Sequence, residues 1–112
     1  MEFNIRHSAG VIILKPNGDI IGDASREFRE IIAEQLAAVS EAPKFLFDFA
    51  AAPMMDSTAL GVLIGTRLII TPTIALINLG SRIKTLITTS KLTEVFEQFS
   101  NEEEAIAALT TG

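Results

Sequence analysis

Lys44-Phe45-Leu46-Phe47-Asp48-Phe49, followed after a short loop by Met55-Asp56-Ser57-Thr58-Ala59-Leu60-Gly61, is the stretch on which the reading of this chain turns. The run Phe45 to Phe49 is too apolar on both faces for a surface strand, so it predicts a central strand of a sheet covered on both sides. The second run opens an apolar helix from Thr58 to about Ile69, which puts Asp56, Ser57 and Thr58 at a helix N-terminus. A helix start presents unpaired backbone N–H groups and a partial positive charge, which suits an anion such as a phosphoryl group on serine. The same residues also suit plain capping, which Asp, Ser and Thr perform for about 0.5–2 kcal/mol.

On the N-terminal side, Phe3 to His7 and Val11 to Lys15 are short β-prone runs separated by Ser8-Ala9-Gly10, a hairpin-like pair closed by a turn at Pro16-Asn17-Gly18-Asp19. Asp23 offers an N-cap for a helix of about Ala24 to Val39, in which Phe28, Ile31, Ile32, Leu36 and Val39 recur at helical spacing and Arg26, Arg29, Glu30 and Glu34 face outward. Pro43 ends the connection to the central strand. On the C-terminal side the pattern predicts a turn at Thr71-Pro72-Thr73, a buried strand from Ile74 to Asn78, and a helix from about Ser81 to Thr88 with Ile83, Leu86 and Ile87 inward. A short strand at Glu94 to Phe96 follows, then a last helix with Ala105, Ile106 and Leu109 inward. Ser100-Asn101-Glu102-Glu103 reads as its capping box, with Ser100 accepting from the amide three residues on and Glu103 reaching back. Strand and helix alternate from Val11 onward, so the fold class is α/β: a mixed, mostly parallel sheet of four to five strands with about four helices packed on it.

The 112 residues and 48% hydrophobic content suit one domain spanning residues 1–112. The net charge is -5 and the nine Lys and Arg are scattered singly, which argues against nucleic acid and anionic membrane surfaces. Cysteine is absent and His7 is the lone histidine, so neither a disulfide framework nor a thiolate or histidine metal site is expected, and no cofactor is implied. A chain without cysteine fits a reducing cytoplasm. Met1 to Arg6 lacks the basic and apolar regions of a secretory signal, so the mature protein is expected to start here. Ala59 to Leu79 is long and apolar enough to need a membrane test. Arg67 in its middle would cost roughly 2.5–3.5 kcal/mol at a bilayer centre, and Pro72 breaks the helical ladder, so the span reads as buried helix, turn and buried strand.

Phe47-Asp48-Phe49 with Met55-Asp56-Ser57-Thr58-Ala59-Leu60-Gly61 resembles the STAS domains, the anti-sigma factor antagonists and their relatives, whose pattern is an Asp-Leu-Ser segment followed at the same spacing by Met-Asp-Ser-Ser-Gly-Leu-Gly. The resemblance covers nearly the whole chain. Gly18-Asp19-Ile20 and the long first helix stand where a Gly-Glu-Leu-Asp turn and helix are expected; Ser81 to Leu92 and Asn101 to Ala107 match the later helices.

The resemblance implies a non-enzymatic module controlled by phosphorylation. Ser57 takes the position of the phosphoacceptor, modified by a partner that is both anti-sigma factor and serine kinase and reset by a serine phosphatase. The unphosphorylated form binds the partner through Met55, Asp56, Ser57, Thr58 and Asp23 and thereby regulates transcription; Gly61 and Asp48 are structural. Phosphoserine adds about -1.5 to -2 charges beside Asp56, which opposes an interface fitted to a neutral hydroxyl. Three departures stand out. Ile21 occupies the place of the usual turn aspartate, with Asp23 two residues on as its stand-in. Ala59 replaces the motif glycine and adds a methyl near the hydroxyl, and the span from Gly61 to Ile74 is a few residues short. These departures keep a second reading open, an unphosphorylated STAS-like scaffold or a cytoplasmic subunit of a transport or signalling assembly.

The bland readings of the same residues are structural. Asp48 in an apolar strand is expected to bond backbone amides near Met54-Met55, and Met54 and Met55 fill the core or its rim. Catalysis by Ser57 would need a base in reach, and the one histidine lies on the first strand; no glycine-rich phosphate loop is present.

Overall fold

A computed structural model describes residues 1–39, 43–69, 74–93 and 95–111. The strands are β1 (Glu2–Ser8), β2 (Val11–Asn17), β3 (Lys44–Asp48), β4 (Ile74–Ile77) and β5 (Glu97–Phe99); the helices are α1 (Asp23–Ala37), α2 (Ser57–Ile69), α3 (Ser81–Thr89) and α4 (Glu102–Thr110). They build one five-stranded sheet in the order β1-β2-β3-β4-β5, antiparallel between β1 and β2 and parallel elsewhere. The mixed, mostly parallel α/β architecture read from the sequence is therefore the one observed.

The β1–β2 hairpin is tight: Ser8 pairs with Val11 and only Ala9 and Gly10 lie between them, both at positive φ, 52° and 78°. Two left-handed residues in a row match the twist of the flanking strands, and glycine takes that conformation without steric cost. Pro16, expected in a turn, lies inside β2 opposite Phe3. Pairing of β2 with β3 stops at Leu14, so the missing proline N–H interrupts no bond on that side.

β3 is central, and its alternation feeds two cores. Phe45 and Phe47, with Ile12, Leu14, Ile74 and Leu76, face a core closed by Phe28 and Ile32 of α1, Leu60 and Leu63 of α2, and Ile83 and Ile87 of α3. Leu46, with Val11, Ile13, Ala75 and Ile77, faces a smaller core closed by Ala105 of α4, with Ile106 and Leu109 packed against it. Phenylalanine rings run through the larger core, with Phe45 stacked on Phe47 at 5.4 Å and Phe28 edge-on to Phe47 at 5.8 Å. The helices after β2, β3 and β4 all cover the same face while the sheet grows in one direction, so the three crossovers share one hand, as right-twisted parallel strands demand.

Several local expectations shift. α1 begins at Asp23 itself, with Gly22 as N-cap at φ 57° and no side-chain cap, so Asp23 is an exposed first-turn acid and not the cap. The last helix is capped one residue later than predicted: Asn101 Oδ1 accepts from the Glu104 amide at 2.9 Å, and Glu104 Oε2 accepts from the Ser100 amide. A carboxylate three places after the cap is what the box needs, and Glu104 supplies it from that register. β5 covers Glu97–Phe99; of the strand expected at Glu94 to Phe96, Glu94 lies outside the described residues and Phe96 is a buried core residue before the strand. The turn at Thr71-Pro72-Thr73 also lies outside them. No helix among the described residues is long and apolar enough to cross a membrane. α2 was expected to be buried, yet it keeps an outward face, with Ser57, Thr58, Gly61 and Leu68 exposed.

Candidate functional site

The site is made by two loops joined side by side. The loop from β2 to α1 lies along the loop from β3 to α2: the Gly18 amide donates to Ala51 O at 2.8 Å, the Ile20 amide to Met54 O at 2.9 Å, and the Asp56 amide to Ile20 O at 3.1 Å. Ile20 and Met55 form a parallel bridge and both are buried. Backbone amides that would otherwise be unpaired at the sheet's end are thus satisfied loop to loop. The starts of α1 and α2 are fixed beside each other.

Asp56 fastens this junction. Its Oδ1 accepts from the Ala59 amide at 2.8 Å and from the Ser25 hydroxyl at 2.8 Å, and its Oδ2 accepts from the Gly22 amide at 2.9 Å. With the Leu60 amide donating to Asp56 O, this is an N-cap for α2 that reaches across to α1. Partial burial alone would raise the carboxyl's pKa, but the bonds from Ala59, Ser25, Gly22 and the Thr58 amide outweigh it and hold the group below its ordinary value. Gly22 at φ 57° turns its amide toward the carboxylate, a conformation that penalises any Cβ.

Ser57 is the first residue of α2 and is exposed, and its hydroxyl has no hydrogen-bond partner among the described residues. Thr58 beside it is also exposed. Both are open to a partner, whereas Asp56 is half-buried and already committed on both oxygens. Ala59 is fully buried in the core. Its methyl is therefore packed among core side chains, whereas Ser57 is exposed. Met55 lies in the core beneath the loop, 5% exposed, while Met54 is half-buried at the rim, where Arg82 Nη1 of α3 lies 3.6 Å from its sulfur. Asp23 is exposed one residue after the Gly22 contact, and Ile21, in the place of the family's aspartate, is 45% exposed.

Asp48 bonds other groups than the amides expected from the sequence. Its Oδ1 accepts from the Ala50 amide at 2.9 Å and from Asn78 Nδ2 at 3.0 Å; the Met54-Met55 amides are not involved. Parallel pairing puts Asp48 opposite Ile77, so the residue after β4 is the one that reaches it. Gly61 meets no close neighbour: an added Cβ would find nothing within 4 Å. Packing within the chain therefore does not require glycine at 61. Beside Thr58 a groove of about 350 Å³ runs between α1 and α2, lined also by Arg29, Ala33, Leu36, Gly61 and Gly65 among others. No group of three or more His, Asp or Glu among the described residues could hold a metal ion.

Sequence reasoning missed Ser25, Gly22, Asn78 and the groove. Ser25 left a trace: it stands in the apolar stripe Ser25-Phe28-Ile32 of α1, and a small hydroxyl in a buried stripe needs a polar partner.

Residues 2–105 match the sequence model of the STAS domain. No curated protein matches the chain significantly. Among solved structures, an anti-sigma factor antagonist (STAS) domain protein from Planctomyces limnophilus superposes with a TM-score of 0.87 at 15% identity, covering 97% of this chain and 98% of that one. An anti-sigma factor antagonist from Mycobacterium paratuberculosis gives 0.86 at 17% identity, with 98% and 94% covered. The Bacillus cell fate determinant SpoIIAA in its phosphorylated form gives 0.69 at 19% identity, with 96% and 98% covered. At these identities the likeness is one of fold.

Proposed function

The chain belongs to the STAS domain family, and from that premise we propose that it is an anti-sigma factor antagonist, a non-enzymatic binding module switched by phosphorylation of Ser57. The observation that carries the reading is the pairing of an exposed hydroxyl at Ser57, which has no partner among the described residues, with a fully engaged carboxylate at Asp56. The serine is free to be modified and the fold does not depend on it. Met55, Asp56, Ser57, Thr58 and Asp23 form or support the partner surface, and the partner is an anti-sigma factor with serine kinase activity. The work is done in the cytoplasm, with a serine phosphatase to reset it.

In the modification, Ser57 Oγ forms a bond to the γ-phosphorus of the kinase's ATP as the bridging P–O bond breaks. ADP leaves with the electron pair and the hydroxyl proton passes to a base of the kinase. A helix start ordinarily welcomes an anion, but Asp56 has already taken the Ala59 amide. A phosphoryl group of about -1.5 to -2 charges then stands beside a carboxylate with few donors left for it. Its repulsion and desolvation cost falls on the interface with a partner, while Asp56 continues to hold the loops together.

One observation favours the second reading, a constitutive scaffold or cytoplasmic subunit of a transport or signalling assembly. Ile21 is exposed next to Gly22, where an apolar contact would substitute for a charged one.

Intact mass and fragmentation of the protein recovered from its native cell test the proposal. Phosphate on Ser57 under some growth or stress condition supports the switch. A partner retained on pull-down with no phosphate under any condition overturns it and leaves the scaffold.

A further inference from the structure

The outer face of α2 begins at Ser57 and continues through Thr58, Gly61 and Gly65 to Leu68, a run of about 16 Å at 1.5 Å per residue. Glycine is the poorest helix former after proline, yet a Cβ at Gly61 or Gly65 would meet nothing within 4 Å. Nothing among the described residues calls for these two glycines. They line a shallow trough with α1 as its other wall, and Leu68, 77% exposed, follows further along α2.

The wall is charged in a patterned way. On α1, Asp23, Glu27, Glu30 and Glu34 fall at spacings of four, three and four and form one stripe. Arg26, Arg29, Ala33 and Leu36, at spacings of three, four and three, form another, and Arg29, Ala33 and Leu36 line the groove. Neither Arg26 nor Arg29 has an ion-pair partner among the described residues.

We propose that the α1/α2 groove seats an amphipathic helix of the binding partner, its small apolar side laid over Gly61 and Gly65 and its acidic edge against Arg26 and Arg29. The inference rests on the partner-binding reading and names the partner's chemistry. Close approach to a glycine backbone favours a helix with small contact residues, and Ala33, Leu36 and Val62 supply the apolar lining, with Leu68 exposed beyond it on α2. A net charge of -5 repels an acidic helix from most of the surface, so the arginine stripe also fixes where and in which orientation it lands. Thr58 lines the groove and Ser57 precedes it in the first turn of α2, which puts the modification next to whatever occupies the groove.

A photoreactive amino acid at position 33 or 68, with position 89 on α3 as control, tests this in the native cell. The expected result is cross-linking from 33 and 68 to one segment of a partner, with apolar residues at helical spacing and Asp or Glu along one edge. Gly65→Leu and Arg29→Glu should each cut the yield at least tenfold. Gly65→Ala should raise Tm and still lower the yield, which separates lost docking from lost folding. The proposal is overturned by an extended or basic cross-linked segment, by a second copy of this chain, by yields insensitive to all three variants, or by no cross-link at 33 and 68. Ser57→Asp in the same cells separates the two readings. Cross-links that survive it count against the switch and for the groove; cross-links that it abolishes but the groove variants leave intact count the other way.

Discussion

The Ser25 hydroxyl, fully buried on α1, donates to Asp56 Oδ1 at 2.8 Å across 31 residues of sequence. That bond ties the first turn of one helix to the cap of the next and leaves the carboxylate shared between them. Ser25→Ala removes a hydrogen bond to a charged acceptor, a loss of about 1.5–3 kcal/mol. Chemical denaturation should show a lower midpoint with an unchanged m-value. A midpoint equal to wild type would deny the bond any part in stability.

Asp56→Asn keeps a capping oxygen for Ala59 but turns an amide donor toward the Gly22 N–H, so a loss of about 1–2 kcal/mol is expected near neutral pH. The acid dependence follows from the lowered carboxyl, whose ordinary value is 3.8. Because the unfolded chain takes up this proton more readily, the carboxylate's contribution is fully present above about pH 5 and is lost as pH falls through the folded value. Urea midpoints of wild type and variant should stay apart at pH 7 and converge toward pH 3. A constant gap would mean that Asp56 acts without its charge.

Ser57→Ala should leave stability within about 0.5 kcal/mol, because the side chain is exposed and its hydroxyl bonds no described residue. Ser57→Asp should be nearly as mild for folding while weakening the partner complex at least tenfold. Thermal melts and titration calorimetry with the isolated partner separate the two effects. A large drop in Tm for Ser57→Ala would show a structural role that the geometry does not contain.

Asn78 holds φ at 57° and donates to Asp48 at 3.0 Å. Asn78→Ala loses the bond and keeps the left-handed strain; Asn78→Gly loses the bond and relieves the strain. The alanine variant should therefore be the less stable by about 1 kcal/mol. Equal midpoints would place the whole effect in the hydrogen bond.

The elements were legible where side-chain period carried them. Phe45, Leu46 and Phe47 read as a strand buried on both faces because both faces are indeed covered, and Phe28 and Ile32 read as one helical stripe. Ser57 and Thr58 were legible because a helix start can be located from its punctuation. The contacts that finish the site were not. Ser25 to Asp56 and Asn78 to Asp48 join residues about thirty apart, and nothing in a local window announces which polar pair will meet once the strands align. Caps were placed at the right ends but one residue off at both Gly22 and Asn101, since several residues there can cap and backbone conformation chooses among them. The groove was invisible for a different reason: Gly61 and Gly65 lower helix propensity, and only the folded structure shows that no described neighbour fills the space beside them.

The arrangement of helices has one further consequence. Three helices share one face of the sheet, but among the described elements α4 alone covers the other, over Val11, Ile13, Leu46, Ala75 and Ile77. A helix of nine residues is too short to persist by itself in water, so it forms only as it docks, helped by the Asn101 cap and the Arg6–Glu102 ion pair that joins it to β1. Any event that lifts α4, from proteolysis near Ser100 to a substitution at Ala105, would bare an apolar patch across three adjacent strands. A domain opened in this way would adhere to other opened copies, and α4 is its safeguard against aggregation.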